Sequence, residues 1–522
     1  ASTAPVSTVD EVVVVGTRSS LQSAMNRKRS ANTVSDSIVA DDIGQFPDKN
    51  VGEALGRVTG VQLSRDFGEG NAVSIRGVEP DLNRVEINGV SVLSTAGNLN
   101  VYGGGGRSND FRELPAEIVK SIDVFKGFTA DMTEGAVGGT VSVQTRKPLD
   151  FRNPTFSMTV SGQKLDTLPD WKPRASFFGA TQLLDGRLGL MANVTYDSVL
   201  TRGDFYDDHS WARLADFDNS PEKTVNYYNQ SYSRAVNDYI ASIGSEAACA
   251  TITTPDANTL TTAQARTACQ SQWYDYNPRI PRYRVWTRED ERTSGEFTAE
   301  YKFADNLRGF VTYQTNKRTQ QLNDINYGTD FTSLDRLNYA AGCPRVTTTT
   351  AESVPGVVVD ANHNVIQYRV GSCLGTSGRG GDTSFSISSR DFQYETTSDY
   401  ITYGLKWYND RFKVDFLGAN AKSETLSQTN NVSVSFNTPG LVVSLEPGTS
   451  APIFTFAPGA SPADAAAVSQ YQIQYRPSQS SNSEDQYKLD VDFDPRTTFL
   501  TNIKFGGRYS NAETQGYDYG GF

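Results

Sequence analysis

Residues able to do covalent or metal chemistry are scarce in this chain. Its 522 residues include two histidines, His209 and His363, and four cysteines. Neither histidine has a cysteine or second histidine close by, so no metal-ligand spacing arises. The segment Tyr206 to Ser210 (YDDHS) could take a cation, but the same residues suit a solvated loop. The glycine run from Tyr102 to Asp110 (YGGGGRSND) lacks the Lys-Ser/Thr with which a phosphate loop grips a nucleotide. No catalytic constellation emerges, and the expectation is a chain that is not an enzyme and uses no cofactor or metal. The cysteines fall into two close pairs, Cys249 with Cys269 and Cys343 with Cys373, in stretches rich in Gly, Ser, Thr and Asn. They read as two loop disulfides in an oxidising compartment, with four unrelated free thiols as the alternative.

With 44 Gly, 25 Tyr and 26 Phe against 4 Met, the composition differs from that of an ordinary soluble enzyme. A mean hydropathy of −0.47 accompanies the absence of any run of about 18 apolar residues, so no membrane helix is encoded. Transmembrane β-barrels pass the same test, because alternating apolar and polar residues average out. The net charge of −12 argues against nucleic acid as a partner. Ala1-Ser2-Thr3-Ala4 would suit a mature end left after removal of a signal peptide.

Two textures follow one another along the chain. Residues 21–150 read as a mixed α/β globule. Asn50-Val-Gly-Glu53 resembles a capping box with Val51, Leu55 and Val58 at helical spacing behind it. Pro115 is placed to open a second short helix carrying Ile118 and Val119. Strand-like runs lie at Val73 to Val78, Arg84 to Val90, Ile122 to Phe125 and Thr140 to Gln144. Gly77, Gly89, Gly127, Gly138 and Gly139 are expected at tight turns between them.

From residue 151 onward, long period-two strands take over. Leu188, Leu190, Ala192, Val194 and Tyr196 share one face. So do Tyr487, Leu489, Val491 and Phe493, with Lys488, Asp490 and Asp492 opposite. Strands of about 10–14 residues are expected, the length of a tilted bilayer crossing. Aromatics near their ends (Tyr196, Trp407, Tyr408, Tyr509) suit interfacial girdles. Tight hairpins at Asp185-Gly186, Asp305-Asn306, Asn409-Asp410 and Asp494-Pro495 alternate with long connections near 200–290, 320–395 and 428–484. These features make an antiparallel transmembrane barrel, of which about nine strands are present. A globule of about 130 residues is roughly 36 Å across and cannot sit inside nine strands. About 22 would hold it, so residues 151–522 read as the N-terminal part of a larger barrel.

The motifs "DKNVGEALGRVTGVQLSRD", "VSIRGVEPDLNRVEINGV" and "ELPAEIVKSIDVFKGFTADMTEGAVGGTVSVQTRKP" resemble, in order, the plug of a TonB-dependent outer-membrane receptor. Their style is similar to the large Caulobacter- and Xanthomonas-type receptors, several of which are associated with sugar uptake. The resemblance implies a periplasmic N-terminus (residues 1–20), a plug (21–150) inside the lumen, and a barrel with long extracellular loops. It makes Val9 to Arg18 (VDEVVVVGTR) a TonB box, a loose strand that TonB adds to its own sheet. Asp10, Glu11, Val12, Val13, Val14, Val15 and Gly16 would bind TonB, unless the run is the plug's first strand. It implies that Leu93 to Phe111 is the plug apex, where Tyr102, Arg107, Asn109, Asp110 and Phe111 would touch substrate. It also implies that the plug arginines Arg76 and Arg84 face barrel carboxylates. Glu296 and Glu300 are the chief ones, with Asp415, Asp490 and Asp492 on the same lumen face by parity. Solvated surface charge is the alternative.

The function so implied is energy-coupled import of a scarce solute across the bacterial outer membrane. Its partners are TonB with its inner-membrane energising complex, outer-membrane lipid and a small-molecule or oligosaccharide substrate. An oligosaccharide is favoured and a ferric siderophore comes next. Loop aromatics such as Trp211, Trp273, Tyr274 and Tyr276 suit either, while the acidic chain speaks slightly against anionic ferric complexes. A passive porin-like channel would lack a plug, and a signal-transducing receptor would carry a further domain before the box.

Overall fold

The computed structural model describes residues 12–39, 51–66, 69–91, 111, 119–151, 153–208, 210–213, 222–253, 260–329, 358–369, 385–436, 438 and 440–518. A helix runs over Val12–Ser30, where the sequence suggested a loose strand. An isolated strand has no ladder to join and gains nothing from its β-branched residues. The good helix formers that follow, among them Leu21, Gln22, Ala24, Met25 and Arg27, carry the segment into helix instead. The helix also crosses the expected boundary at residue 20. Asp10 and Glu11 lie outside the described residues.

Among the described residues the N-terminal globule has seven strands: β1 (Ser35–Val39), β2 (Val61–Asp66), β3 (Glu69–Ile75), β4 (Arg84–Ile87), β5 (Val90–Ser91), β6 (Val119–Phe125) and β7 (Thr140–Thr145). Five of them make a sheet in the order β1-β6-β7-β4-β5, and β2 pairs with β3. The short helix Val51–Leu55 buries Val51, Ala54 and Leu55, as its spacing required. These residues join Ile75, Ile122, Val124, Val141 and Phe111 in one core. Val119, expected in a short helix, opens β6 and is buried against this core; Pro115 and Ile118 lie outside the described residues. Gly89 adopts φ +86° in the β4–β5 turn. A Cβ on Gly138 would lie 2.2 Å from the Asn83 side-chain oxygen, so close packing there demands glycine.

Among the described residues, nine further strands form one antiparallel sheet in chain order whose first and last strands are not paired with each other. They are β8 (Thr155–Gln163), β9 (Lys172–Leu183), β10 (Leu188–Asp207), β11 (Arg282–Ala304), β12 (Leu307–Gly328), β13 (Phe385–Tyr408), β14 (Phe412–Phe436), β15 (Val468–Phe493) and β16 (Ile503–Asp518). The strands reach 26 residues, well past the expected length, because their upper halves keep pairing beyond any bilayer. Short turns join β9–β10, β11–β12 and β13–β14 at the expected sites. The β15–β16 connection is longer, spanning 494–502, since Pro495 cannot donate to a tight hairpin.

Burial on this sheet is inverted. Phe297 and Val311 are 50% and 52% exposed, while neighbouring Glu296 and Thr312 are 5% exposed. An outward apolar face and an inward polar one fit a hydrocarbon exterior.

At the long-loop end, residues between β10 and β11 fold into a helical knob. Its helices Arg234–Ser242, Glu246–Cys249 and Thr262–Gln270 surround Val236, Ile240, Leu260 and Trp273. The Cys249–Cys269 disulfide closes it, with Cα atoms 5.6 Å apart. Cys343 and Cys373 lie outside the described residues. A four-stranded sheet from 358–369 and 442–455 packs beside the knob, and His363 Nδ1 lies 2.9 Å from Asp275 Oδ1. His209 lies outside the described residues.

Candidate functional site

The globule meets the inner face of the large sheet along a polar seam. On β4, Arg84 Nε donates to Glu86 at 3.2 Å, so its main partner is in its own domain rather than on the wall. The wall supplies both signs here: Glu484 of β15 acts electrostatically on Arg84, and Arg508 of β16 lies 3.5 Å from Glu86 and also donates to Thr133 and Gln486. The Ser91 backbone N–H donates to Gln486 at 3.2 Å. Two guanidiniums thus share one carboxylate across the seam. Arg76 is exposed in the turn after β3, at φ +56°, and makes no ion pair among the described residues.

Glu296 and Glu300 do face the globule. Glu300 accepts from the Leu149 N–H at 3.1 Å. Both carboxylates act on Lys147, whose ammonium sits 3.8 Å from the Phe310 ring centroid. Burial pulls Lys147 down to about 8, against the two glutamates that favour its charged form. Sequence parity placed the glutamates but gave no reason to single out Lys147, which lies in an irregular link. Asp415 and Asp490 border a cavity of about 1110 Å³ between residues 129–133 and the wall, and their partners are wall lysines rather than plug arginines, Lys406 at 3.0 Å and Lys488 at 2.9 Å.

The N-terminal helix docks beneath the sheet by charge. Arg27 Nη2 and Asp123 Oδ2 are 2.5 Å apart, and Lys28 and Lys126 both reach Asp36 at 2.5 Å. Burial raises the Asp36 pKa, and the two ammoniums more than reverse it, holding the carboxyl below its ordinary range. Of the expected apex residues, Tyr102, Arg107, Asn109 and Asp110 lie outside the described residues. Phe111 is a correction, being 1% exposed within the globule's core. An aromatic ring between polar loop residues gains more by joining that core than by waiting in solvent.

Above the globule, the inner wall carries guanidinium and aromatic groups. Arg284 Nη2 and Arg390 Nη2 each lie 2.7 Å from Asp324 Oδ2. Arg284 lies over the Phe205 ring at 5.2 Å and the Trp286 ring at 5.8 Å, and those rings meet edge-on at 4.7 Å. One tier lower, Arg318 reaches Asp290 at 2.6 Å and Arg292 reaches it at 3.2 Å. The even-numbered parity that placed Glu296 inward would have placed Arg284, Trp286 and Arg292 there too.

Residues 27–140 match the TonB-dependent Receptor Plug Domain family. Over 88 residues, 16% of the chain, the sequence is 32% identical to lactoferrin-binding protein A of Neisseria meningitidis serogroup B, covering 9% of that protein. The ferric preacinetobactin receptor of Acinetobacter baumannii aligns over 93% of this chain and 58% of its own, at 11% identity and a TM-score of 0.37. A second siderophore receptor from the same organism aligns over 93% of this chain and 62% of its own, at 12% identity and a TM-score of 0.31. The chain therefore spans a small part of the curated relative and under two thirds of these solved receptors.

Proposed function

We propose, from a chain that carries the plug domain of the TonB-dependent receptors, that it imports a scarce solute across the outer membrane by energy-coupled transport. Receptors of this family and fold are outer-membrane β-barrels, and the outward apolar belt suits that setting. The observation that carries the reading is the folded plug held against a polar inner wall. A passive channel has no use for such an obstruction, whereas a driven importer must have one to move. The short-turn end then faces the periplasm and the long-loop end the exterior. We take the nine strands as part of a wider closed wall, since a plug roughly 36 Å across exceeds what nine strands enclose.

In this reading TonB takes the segment Asp10 to Gly16 as an added strand, which requires the first turns of the Val12–Ser30 helix to unwind. Force then reaches the plug through Arg27 and Lys28, clamped to Asp123 and Asp36. The test is Val13→Pro. Proline is tolerated in a helix's first turn, so the resting helix keeps its form, while an added β-ladder loses a donor at its centre. Cells should fail to accumulate ligand, and isolated outer membranes should bind it normally. Unimpaired uptake would remove the import reading, and equal loss of binding would make the valine run part of the plug's own structure.

A further inference from the structure

We infer that a groove in the lipid-facing side of the wall, floored by Gly309 and Ala299, is a binding site for an acyl chain of a glycerophospholipid. The assignment rests on the outer-membrane reading and adds a ligand of the outer face, distinct from any cargo. Register sets the groove. Leu188 of β10, Tyr301 of β11, Gly309 of β12 and Leu405 of β13 fall in one outward row, and Ala299, Val311 and Tyr403 lie in the next. Ala299 and Gly309 are diagonal neighbours, so a gap opens between the larger Tyr301 and Val311. It measures about 340 Å³, within the range of ligand pockets. A Cβ at Gly309 would lie 2.9 Å from Leu405 and 3.0 Å from Phe303, so those two side chains lean over the glycine as walls. Tyr403 leans away, over Gly418 of β14, where a Cβ would stand 2.5 Å from its ring. Glu300 borders the same wall but turns its carboxylate inward to the Leu149 N–H. The outward lining is therefore aliphatic and aromatic.

Position names the occupant. The groove lies within the apolar belt and close to the Asp305-Asn306 hairpin, at the short-turn end that faces the periplasm in the import reading. Water would find no polar partners in such a recess, and an empty one forfeits dispersion contacts along its lining. The flexible chain of a neighbouring lipid fills it. Charged groups of both signs stand at its end. Arg187 Nη2 donates to the Phe303 carbonyl at 3.5 Å, Lys302 pairs with Asp305 at 2.6 Å, and Asp185 sits in the adjoining turn. Arg308 belongs to the lumen side, where it borders the cavity shared with Lys147. A balanced rim suits a zwitterionic phosphoethanolamine headgroup, with its phosphate on the planar donor fork of Arg187 and its ammonium toward the aspartates. Lipid A, the polyanionic lipid of the opposite leaflet, would call for a cationic rim.

Native mass spectrometry of the whole receptor with added dioleoyl-phosphatidylethanolamine tests the site. A single lipid should stay bound after the others are stripped. Gly309→Leu fills the floor and should weaken that binding about tenfold, as the loss of about two buried methylenes predicts. Ala299→Leu closes the groove from the diagonal position and should do the same, so a folding defect in either variant leaves the other to decide. Gly295→Leu, outward on the same strand where a Cβ would meet Thr315 at an ordinary 3.5 Å, should bind like the parent. Arg187→Gln should weaken phosphatidylethanolamine several-fold and leave dioleoylglycerol, which lacks the phosphate, unchanged. Full retention of lipid by both groove variants, an equal loss in Gly295→Leu, indifference to Arg187→Gln, or preferential retention of lipid A would overturn the assignment. Lipid binding to purified receptor involves no uptake, so its failure leaves import standing. Unimpaired uptake by Val13→Pro would likewise leave the groove standing.

Discussion

Lys147 concentrates the energetics of the seam in one side chain. It is buried beside Glu296 and Glu300 and stacked on Phe310. Its folded pKa of about 8 lies below the value of about 10.4 expected unfolded. Between those values the unfolded chain holds more protons, so stability rises with pH through that window, by up to about 3 kcal/mol. Below pH 8 the full cost of burying the charge is present. Thermal unfolding followed from pH 8 to pH 10 should show this climb, and the Lys147→Met/Glu296→Gln pair should flatten it. Lys147→Met alone strands Glu296 in the seam and should destabilise by about 3 kcal/mol or more. A single substitution milder than the double one would mean the pair is not coupled. Across the seam, Glu86 answers both Arg84 and Arg508, and replacing it with Gln should loosen plug docking, read as faster protease cleavage of the plug.

Among the elements, the helical knob and the N-terminal helix depart most from expectation. The knob folds because a disulfide closes a loop of 20 residues around a core that includes Trp273 and Ile240. Closing such a loop is worth about 3 kcal/mol. Cys249→Ser with Cys269→Ser should therefore expose residues 222–273 to limited proteolysis, while heat-modifiability of the barrel on gels stays unchanged. Barrel loss in that variant would show the knob to be a folding requirement. The cysteine spacing announced the bridge, and Val236, Tyr239, Ile240 and Ile243 stand at helical spacing in the first helix, a signal that the surrounding loop-like composition obscures. The opening valines mislead in the opposite direction, because their β-propensity needs a partner strand that only another protein would bring.

At the scale of the whole molecule, the belt of outward apolar residues fixes the protein's place in the bilayer. On β12 and β13 it includes Val311, Tyr313, Ile401 and Leu405, and it gives way to the Lys317–Glu395 pair at 3.0 Å. Val311→Lys, within the belt, should cost about 2–4 kcal/mol in urea titrations of the lipid-embedded protein, and Thr397→Lys, above it, about 0–1. Equal costs would mean the belt does not mark hydrocarbon. Sequence alone determined much of this plan. Alternation set the face of residues such as Leu190 and Glu296, since a strand's period of two leaves no other choice. The ordered glycine and valine motifs set the plug, and paired cysteines set a bridge. Only tertiary structure decided who meets whom across the seam. Arg508 and Glu86 are 422 residues apart, and no local pattern encodes a contact made by docking one folded surface on another. The same holds for Phe111, drawn into the plug core, and for the arginines that three separate strands bring to one wall.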